Sequence, residues 1–255
     1  MNVPAADAPV DRAARLLALL LERSPRPPAE LASAVGAGAN DIEGLVAALE
    51  RHGLVQWTPD RAALRPGPRP MSFARSGLAR QDLVDQAAPA LRRLAEESGE
   101  TANLMVATPG GSEAIAQEDG RHLLGLANWV GRQLPDHASA AGKVFLAWGA
   151  APAPARPQAL TPRTIVDPGA LAREADAVRA RGYATLVDEL EPGLSAVGAP
   201  VFDAGGGVVA ALTVSGPTQR LPEHRLKLLG RVAVEQAHGV SASLGYDGAL
   251  EDVLG

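Results

Sequence analysis

The sequence predicts an α+β protein in which two domains are joined by a long helix. Three observations support this fold class. Residues 11–51 contain three short helical patterns, and a β-hairpin pattern follows over residues 54–65. The proline-rich segment 66–70 then marks a domain boundary. Beyond a further helical stretch, strand and helix patterns alternate along the chain, as they do in an α+β domain.

The first helix of the N-terminal domain is predicted to begin at Asp11, where apolar residues start to recur at helical spacing. Prolines in segment 24–28 end this helix, because proline lacks an amide donor and clashes with helical geometry. A second short helix is expected over residues 29–35. The inward-facing residues of the first helix are Ala13, Leu16, Leu17 and Leu20.

The third helix is predicted to start at Asn40, which has the side chain of an N-cap residue. Glu43 stands three residues later, as in a capping box, and the helix ends near Gly53. Its buried stripe consists of Ile42, Leu45, Val46 and Leu49. Three short helices followed by a hairpin wing are the element order of a winged helix-turn-helix.

Four segments are expected along the chain. They are a flexible tail over 1–10, a winged helix-turn-helix domain over 11–68, a linker segment over 69–98 containing a long helix over 78–97, and a second domain over 99–246. In the second domain the predicted strands are 101–108, 113–117, the region 123–130, 195–202 and 208–215, and the predicted helices are 138–148, 168–181 and 222–244. An antiparallel sheet with helices packed against it, as in GAF-like sensor domains, fits this order.

Composition excludes several classes of protein. Hydrophobic residues make up 46% and charged residues 21% of the chain, as in a soluble globular protein. No apolar run is long enough to span a membrane, and residues 1–10 lack the pattern of a signal peptide, so a cytoplasmic location is expected. The absence of cysteine excludes disulfides, thiolate metal sites and cysteine nucleophiles. A formal net charge of −5 argues against a protein that coats nucleic acid, although one basic face would suffice for local phosphate contacts.

Five separated motifs of the second domain occur in a characteristic order. They are GRQLPDHASAAGKVFLA at 131–147, RGYA at 181–184, DELEPG at 188–193, APVFD at 199–203 and LTVSGP at 212–217. This series resembles the effector-binding domain of the IclR family of bacterial transcriptional regulators. The resemblance implies a GAF-like effector-binding domain, no enzymatic activity and no cofactor. It also implies self-association into a homodimer, often paired into a homotetramer.

The resemblance further implies an effector pocket. Small residues open the predicted helix 138–148, and a helix N-terminus of this kind presents free N–H groups to a carboxylate. The alternative is that small residues only allow close packing of helix and sheet. The pocket residues that the resemblance implies are Met105, Leu126, Asn128, Trp129, Ala140, Ala141, Ala196, Thr213 and Ser215. Trp129 could equally be a core residue, and the two hydroxyls could face solvent.

The effector class follows from the same positions. Some relatives carry an aspartate or a cysteine where this chain has Leu186 and Ala196. These departures indicate a more apolar pocket. We expect the pocket to bind a small organic acid or an aromatic metabolite.

The N-terminal domain departs from the family where DNA would be contacted. Relatives commonly have serine and threonine at the positions of Asn40 and Asp41, and arginine at Gly44. Here the exposed face of the third helix is acidic, and residues 1–75 hold nine arginines against eight acids, a net charge of +1. The candidate DNA-contacting residues are Asn40, Glu43, Arg51, Arg61 and Arg65.

Other candidate chemistries find no support in the residue patterns. The carboxylates of 188–191 match no metal-binding motif and are expected in a loop flanking the pocket. Gly142 and Lys143 lack the glycine spacing of a phosphate loop, and His137 with Ser139 lacks an orienting carboxylate. The sequence therefore favours a ligand-responsive DNA-binding regulator. The alternative is an IclR-like sensor that does not bind DNA and uses its first domain for dimerisation or partner docking.

Overall fold

The structure, a computed structural model, describes residues 9–75, 77–122 and 128–248. The chain divides into two compact units between Gln81 and Asp82. Each unit has its own apolar core. Within the described residues, no helix is both long and apolar enough to cross a membrane.

The first unit has the predicted order of three helices and a hairpin. Its helices are α1 (Pro9–Glu22), α2 (Pro28–Val35) and α3 (Ala39–Arg51), and its strands are β1 (Val55–Trp57) and β2 (Leu64–Pro66). The two strands pair antiparallel, with Gln56 opposite Arg65. The apolar stripes of the helices meet in one core formed by Leu16, Leu20, Leu31, Val35, Ile42, Val46, Leu49, Val55 and Leu64. The predicted winged helix-turn-helix is confirmed.

The predicted N-cap of the third helix is wrong. Gly38, with an extended backbone at φ −69° and ψ 166°, is the N-cap residue, and its carbonyl accepts a hydrogen bond from the Ile42 N–H at 3.0 Å. Asn40 therefore lies within the first turn, and no side chain caps this helix end. A glycine N-cap leaves no sequence signature as clear as a polar side chain, so Asn40 with Glu43 imitated a capping box.

Two helices follow the hairpin where the sequence predicts one. Helix α4 (Pro68–Arg75) begins within the proline-rich boundary segment, because prolines are tolerated in the first turn of a helix. The predicted long helix is present as α5 (Gly77–Ser98) and differs from its predicted bounds by one residue at each end.

The second unit is built on a six-stranded antiparallel sheet. Its strands lie in the order β5 (Gln133–Leu134), β4 (Gly111–Glu118), β3 (Thr101–Thr108), β8 (Val208–Pro217), β7 (Leu194–Phe202) and β6 (Ala184–Val187). Its helices besides α5 are α6 (Ala140–Ala147), α7 (Pro168–Arg181) and α8 (Glu223–Ser243), and a short 3₁₀ turn at Asp136–Ala138 precedes α6. This is the predicted α+β domain.

The predicted strand region 123–130 is only partly described, because residues 123–127 lie outside the described residues. The described part is not a strand: Val130 forms a single isolated bridge to Ala114. Strands β5 and β6 were not predicted from the sequence. They have two and four residues, which is too short for an alternation pattern to emerge.

Helix α7 shows how local chemistry sets helix bounds. The Asp167 carboxylate accepts a hydrogen bond from the Ala170 N–H at 2.8 Å, and Pro168 occupies the first helical position. Gly182, at φ 79°, ends the helix in the left-handed conformation. These signals are all local, and the predicted bounds of this helix are therefore correct.

Helices pack on both faces of the central strands. Alternate residues on β3, β8 and β7 pack with α5 and α8 into the larger core; they are Ala102, Leu104 and Val106, then Ala210, Leu212 and Val214, then Val197, Ala199 and Val201. The intervening residues face α6, since side chains of a strand alternate between faces. Met105 and Ala211 pack there against Ala141, Val144 and Phe145.

Helix α6 lies so close to the 3₁₀ turn that only glycine fits at Gly142. A Cβ at this position would stand 2.1 Å from the Cα of Asp136. We expect Gly142→Ala to destabilise the protein by about 1–3 kcal/mol, because backbone atoms would have to move. Gly239→Ala on α8 is the matched control; a Cβ there meets nothing within 4 Å, and alanine should stabilise the helix by about 1 kcal/mol. Urea denaturation measures both changes, and equal effects would contradict this account of Gly142.

Candidate functional site

A pocket opens between the α6 face of the sheet and the start of α6. Its empty space is about 480 Å³, including the part open to solvent. Strands β3, β7 and β8 supply its floor, and the segment 129–134 supplies part of its wall. Among the described residues, the lining consists of Asn103, Met105, Ala114, Trp129, Arg132, Leu134, Ser139, Ala140, Ala141, Leu186, Leu190, Leu194, Ala196, Thr213 and Ser215.

Seven of the nine candidate effector residues line this pocket, namely Met105, Trp129, Ala140, Ala141, Ala196, Thr213 and Ser215. Asn128 is not part of the lining; it is exposed, and its Oδ1 accepts a hydrogen bond from the Val130 N–H at 3.0 Å. Leu126 lies outside the described residues. The structure thus brings together candidates from three strands, one helix and one loop.

The N-terminus of α6 borders this pocket. Ser139 is the N-cap residue, and its hydroxyl accepts a hydrogen bond from the Gly142 N–H at 3.1 Å. Ala140 and Ala141 open the helix and line the pocket, and the first N–H groups of a helix have no acceptor within the helix itself. Unpaired N–H groups at a helix N-terminus attract anions. Gly198 also allows β7 to approach, since a Cβ there would stand 3.2 Å from the Ala140 carbonyl carbon.

Arg132 is a lining residue that the sequence analysis missed. Its guanidinium carbon lies 5.4 Å from the centroid of the Trp129 ring, a distance typical of a cation–π contact. Within the described lining, Arg132 is the only charged residue. No local pattern singles it out, because it belongs to a loop whose path depends on the whole unit. Its charge adds to that of the helix end and favours an anionic ligand.

Asn103 is a second lining residue that the sequence analysis missed. It lies two residues before Met105 on β3, so both side chains project from one face of the sheet. The residue opposite it on β8 is Thr213, and Thr101 is likewise opposite Ser215. The alternation on the predicted strand was the signal that could have identified it.

The rest of the lining is apolar. Leu186 on β6 lies opposite Ala196 on β7, and both pack with Ala140 in a small cluster. Leu190 and Leu194 border this cluster. The two departures from the family pattern therefore meet in one apolar wall, which leaves few polar groups to orient a ligand.

A buried ion pair fixes α6 to the loop that carries Leu190. The Lys143 Nζ donates to the Glu189 carboxylate at 2.6 Å and to the Thr185 carbonyl at 3.0 Å. Glu174 on α7 lies 3.8 Å from the same ammonium group. Glu189 of this loop is therefore a structural partner of α6.

Asp188 shapes the same loop from its other side. Its carboxylate accepts hydrogen bonds from the Thr218 hydroxyl and the Gly193 N–H, each at 2.8 Å. These donors stabilise the ionised form and lower the pKa of Asp188, the Thr218 hydroxyl contributing most. The contribution of this group to stability is present above the pKa of an unfolded aspartate and is lost as the pH falls through the lowered value.

Residues that suggested catalysis have structural partners. His137 is buried and its Nε2 lies 2.9 Å from the Gln158 carbonyl oxygen, while the Ser139 hydroxyl caps α6. The described residues contain no group of three or more histidine, aspartate and glutamate side chains that could hold a metal ion.

The exposed face of α3 is acidic. Asn40, Asp41, Glu43 and Glu50 are all exposed, and Arg51 is exposed at the end of the helix. Asp41 lies 3.5 Å from the Arg12 guanidinium, which offsets part of this negative charge. The candidates Asn40 and Glu43 thus share one accessible face.

The hairpin carries the basic candidates. Arg61 is exposed in the turn between β1 and β2, at a positive φ of 56°, and its guanidinium carbon lies 5.4 Å from the Trp57 ring centroid. Arg65 is exposed on β2, where the neighbouring Leu64 is buried. Alternation along the strand directs Arg65 away from the core.

The ion pair on α6 gives a test of how this site is held together. We expect Lys143→Met to destabilise the protein by about 3–5 kcal/mol, because Glu189 would be left buried without its cation. Lys227→Met is the matched control. The Lys227 ammonium lies 2.7 Å from the Glu223 carboxylate, and both side chains are exposed, so the loss of stability should stay below about 1 kcal/mol. Thermal unfolding followed by circular dichroism measures both. Similar losses in the two variants would show that the buried pair does not anchor α6.

Comparisons with known proteins identify the family. The family described as bacterial transcriptional regulator IclR C-terminal matches residues 76–242. The chain is 30% identical over 244 residues to the HTH-type transcriptional regulator BhcR of Paracoccus denitrificans, covering 91% of this chain and 85% of the relative. It is also 30% identical over 224 residues to the transcriptional repressor IclR of Escherichia coli K12, covering 85% of this chain and 82% of the relative.

A solved structure gives the same assignment. The IclR protein of Thermotoga maritima superposes with a TM-score of 0.61 at 25% sequence identity, covering 93% of this chain and 98% of that protein. Because nearly the whole length of both proteins is aligned, the structural similarity includes the helix-turn-helix unit as well as the C-terminal unit. The chain therefore belongs to the IclR family, as an HTH-type transcriptional regulator with a C-terminal effector domain.

Proposed function

We propose that this regulator senses a small organic anion in the pocket at the start of α6. The observation that carries the proposal is that Arg132 and the N-terminal residues of α6, Ala140 and Ala141, line one pocket. A carboxylate satisfies both, because it is negatively charged at neutral pH and accepts several hydrogen bonds.

The lining favours an aliphatic acid over an aromatic metabolite. Leu186, Ala196 and Met105 offer an apolar wall, and Thr213 and Ser215 add two hydroxyls on one strand face. An aromatic ring would compete with the Arg132 guanidinium for the face of the Trp129 indole, since the guanidinium carbon already lies 5.4 Å from that ring centroid. A short carboxylate needs only the helix end, the guanidinium and the hydroxyls.

Ligand binding is proposed to act on DNA binding by coupling two sites. The protein would work as a homodimer, in which two winged helix-turn-helix units contact two half-sites on the DNA. An effector that binds one arrangement of the dimer more tightly shifts the equilibrium towards it and thereby changes operator affinity. This role belongs in the cytoplasm, where a bacterial chromosome is accessible.

Replacing both strand hydroxyls tests the pocket. Thr213→Val with Ser215→Ala keeps the shape of the side chains and removes two hydrogen-bond partners of a bound carboxylate. Because hydrogen bonds to charged groups contribute about 1.5–3 kcal/mol each, we expect at least a 10-fold loss of affinity. Thermal-shift titrations of wild type and variant with short carboxylates measure it. A ligand that stabilises both proteins equally would remove these residues from the site.

DNA contact is proposed to rest on the wing more than on the third helix. Arg61 and Arg65 are exposed cations on the hairpin, whereas α3 presents Glu43 and Glu50. Acidic side chains beside phosphates are repelled, and each arginine that neutralises a phosphate steepens the salt dependence of binding by about one logarithmic unit.

Two pairs of substitutions separate wing from helix. Arg61→Ala with Arg65→Ala should lower affinity for all DNA sequences and reduce the salt slope by about two units. Glu43→Gln with Gly44→Arg should raise affinity. Gel-shift titrations at two salt concentrations on the DNA upstream of the gene measure both. The control is Arg156→Ala with Arg231→Ala, which removes two exposed arginines from the second unit. Tight, sequence-specific binding that survives loss of both wing arginines would show that α3 contacts the bases.

A further inference from the structure

One polar atom of the pocket has no partner. Asn103 is 3% exposed, and within the described residues its Oδ1 is buried without a hydrogen bond. Buried side-chain oxygens are nearly always paired, because an unpaired one loses its hydrogen bonds to water on folding. The amide side chain belongs to the pocket lining, so the missing donor has room to come from a bound molecule.

Among the described residues, no group supplies this donor. Thr213 is the residue opposite Asn103 on β8, and Met105 is its neighbour on the same face of β3. No hydrogen bond joins the Asn103 Oδ1 to Thr213 or to any other described residue. A ligand that carries no donor leaves the oxygen unsatisfied, whereas a ligand hydroxyl placed there pairs with it.

We propose that the effector is a small hydroxy acid and that Asn103 recognises its hydroxyl group. The carboxylate lies at Arg132 and the amide groups that open α6, and the hydroxyl donates to the Asn103 Oδ1. This inference rests on the proposed function, in which the same pocket binds an organic anion. Asn103 is then the residue that distinguishes a hydroxy acid from the corresponding unsubstituted acid.

The charges of the pocket disfavour the other common donor, an ammonium group. Among the described lining residues there is no aspartate or glutamate to pair with a cation. Arg132 and the positive end of α6 both repel a second positive charge. An amino acid would therefore bind less well than the hydroxy acid of the same carbon skeleton.

Matched ligands test this recognition on the full chain. Isothermal titration calorimetry compares glycolate with acetate and glycine, and lactate with propionate and alanine. We expect the wild type to bind the hydroxy acid at least 10-fold more tightly than the other two members of its series. A site built to pair with a substrate hydroxyl rejects the analogue that lacks it, because its own polar group is left unpaired.

Two variants assign the preference to Asn103. Asn103→Leu has a similar volume and no acceptor, so it should bind hydroxy and unsubstituted acids equally. Thr213→Val is the control on the same face, and it should weaken both while preserving their ratio. Asn103→Asp keeps the size and the acceptor oxygens and adds a negative charge, so its affinity for alanine relative to lactate should rise. This third variant also decides the matter if the leucine variant does not fold.

The outcomes separate this inference from the proposed function. If no carboxylate of either series binds, the proposed function fails. If hydroxy and unsubstituted acids bind the wild type equally, the pocket is an anion site and the role of the hydroxyl is refuted. If the preference persists unchanged in Asn103→Leu and Asn103→Asp, a residue other than Asn103 recognises the hydroxyl.

Discussion

The second unit depends on a central sheet, one face of which packs into the larger core while the other lines the pocket. On β3, β8 and β7, one set of alternate residues packs with α5 and α8 into the larger core. Because side chains alternate, the other set must face α6. That helix has only eight residues and leaves part of this face uncovered. Small and polar residues therefore occur on the strands without harming the main core, and the pocket is the uncovered part of the sheet.

Helix α6 carries the second constraint, which is close packing. Gly142 admits the backbone of Asp136, and Gly198 lets β7 approach the first turn of the helix. Close packing, the alternative explanation of the small-residue segment, therefore applies at Gly142. Gly142 serves packing, whereas Ala140 and Ala141 line the pocket. The buried pair of Lys143 and Glu189 then ties this helix to the loop that closes the apolar wall.

Charge is arranged in opposite ways at the two ends of the chain. The pocket combines one arginine with a helix N-terminus and holds no carboxylate among its described lining residues. The exposed face of the third helix instead carries carboxylates, with Arg51 at its end and Arg61 and Arg65 on the hairpin. Family membership establishes a DNA-binding regulator. The acidic face of α3 bears on two further questions: how strongly this chain binds DNA, and which element makes the contacts.

The sequence alone determined those features that depend on residues close together along the chain. Helix α7 has local caps and was predicted with correct bounds, and the alternation on β3 and β8 set the faces of Met105 and Thr213. Glycine at the start of α3 and the short strand β6 carried too little local signal. Arg132 and the unpaired Asn103 oxygen could not be recognised in advance, because being unpaired is a property of everything that surrounds an atom. Only the folded unit, which pairs β3 with a strand more than a hundred residues away, decided which polar groups were left for a ligand.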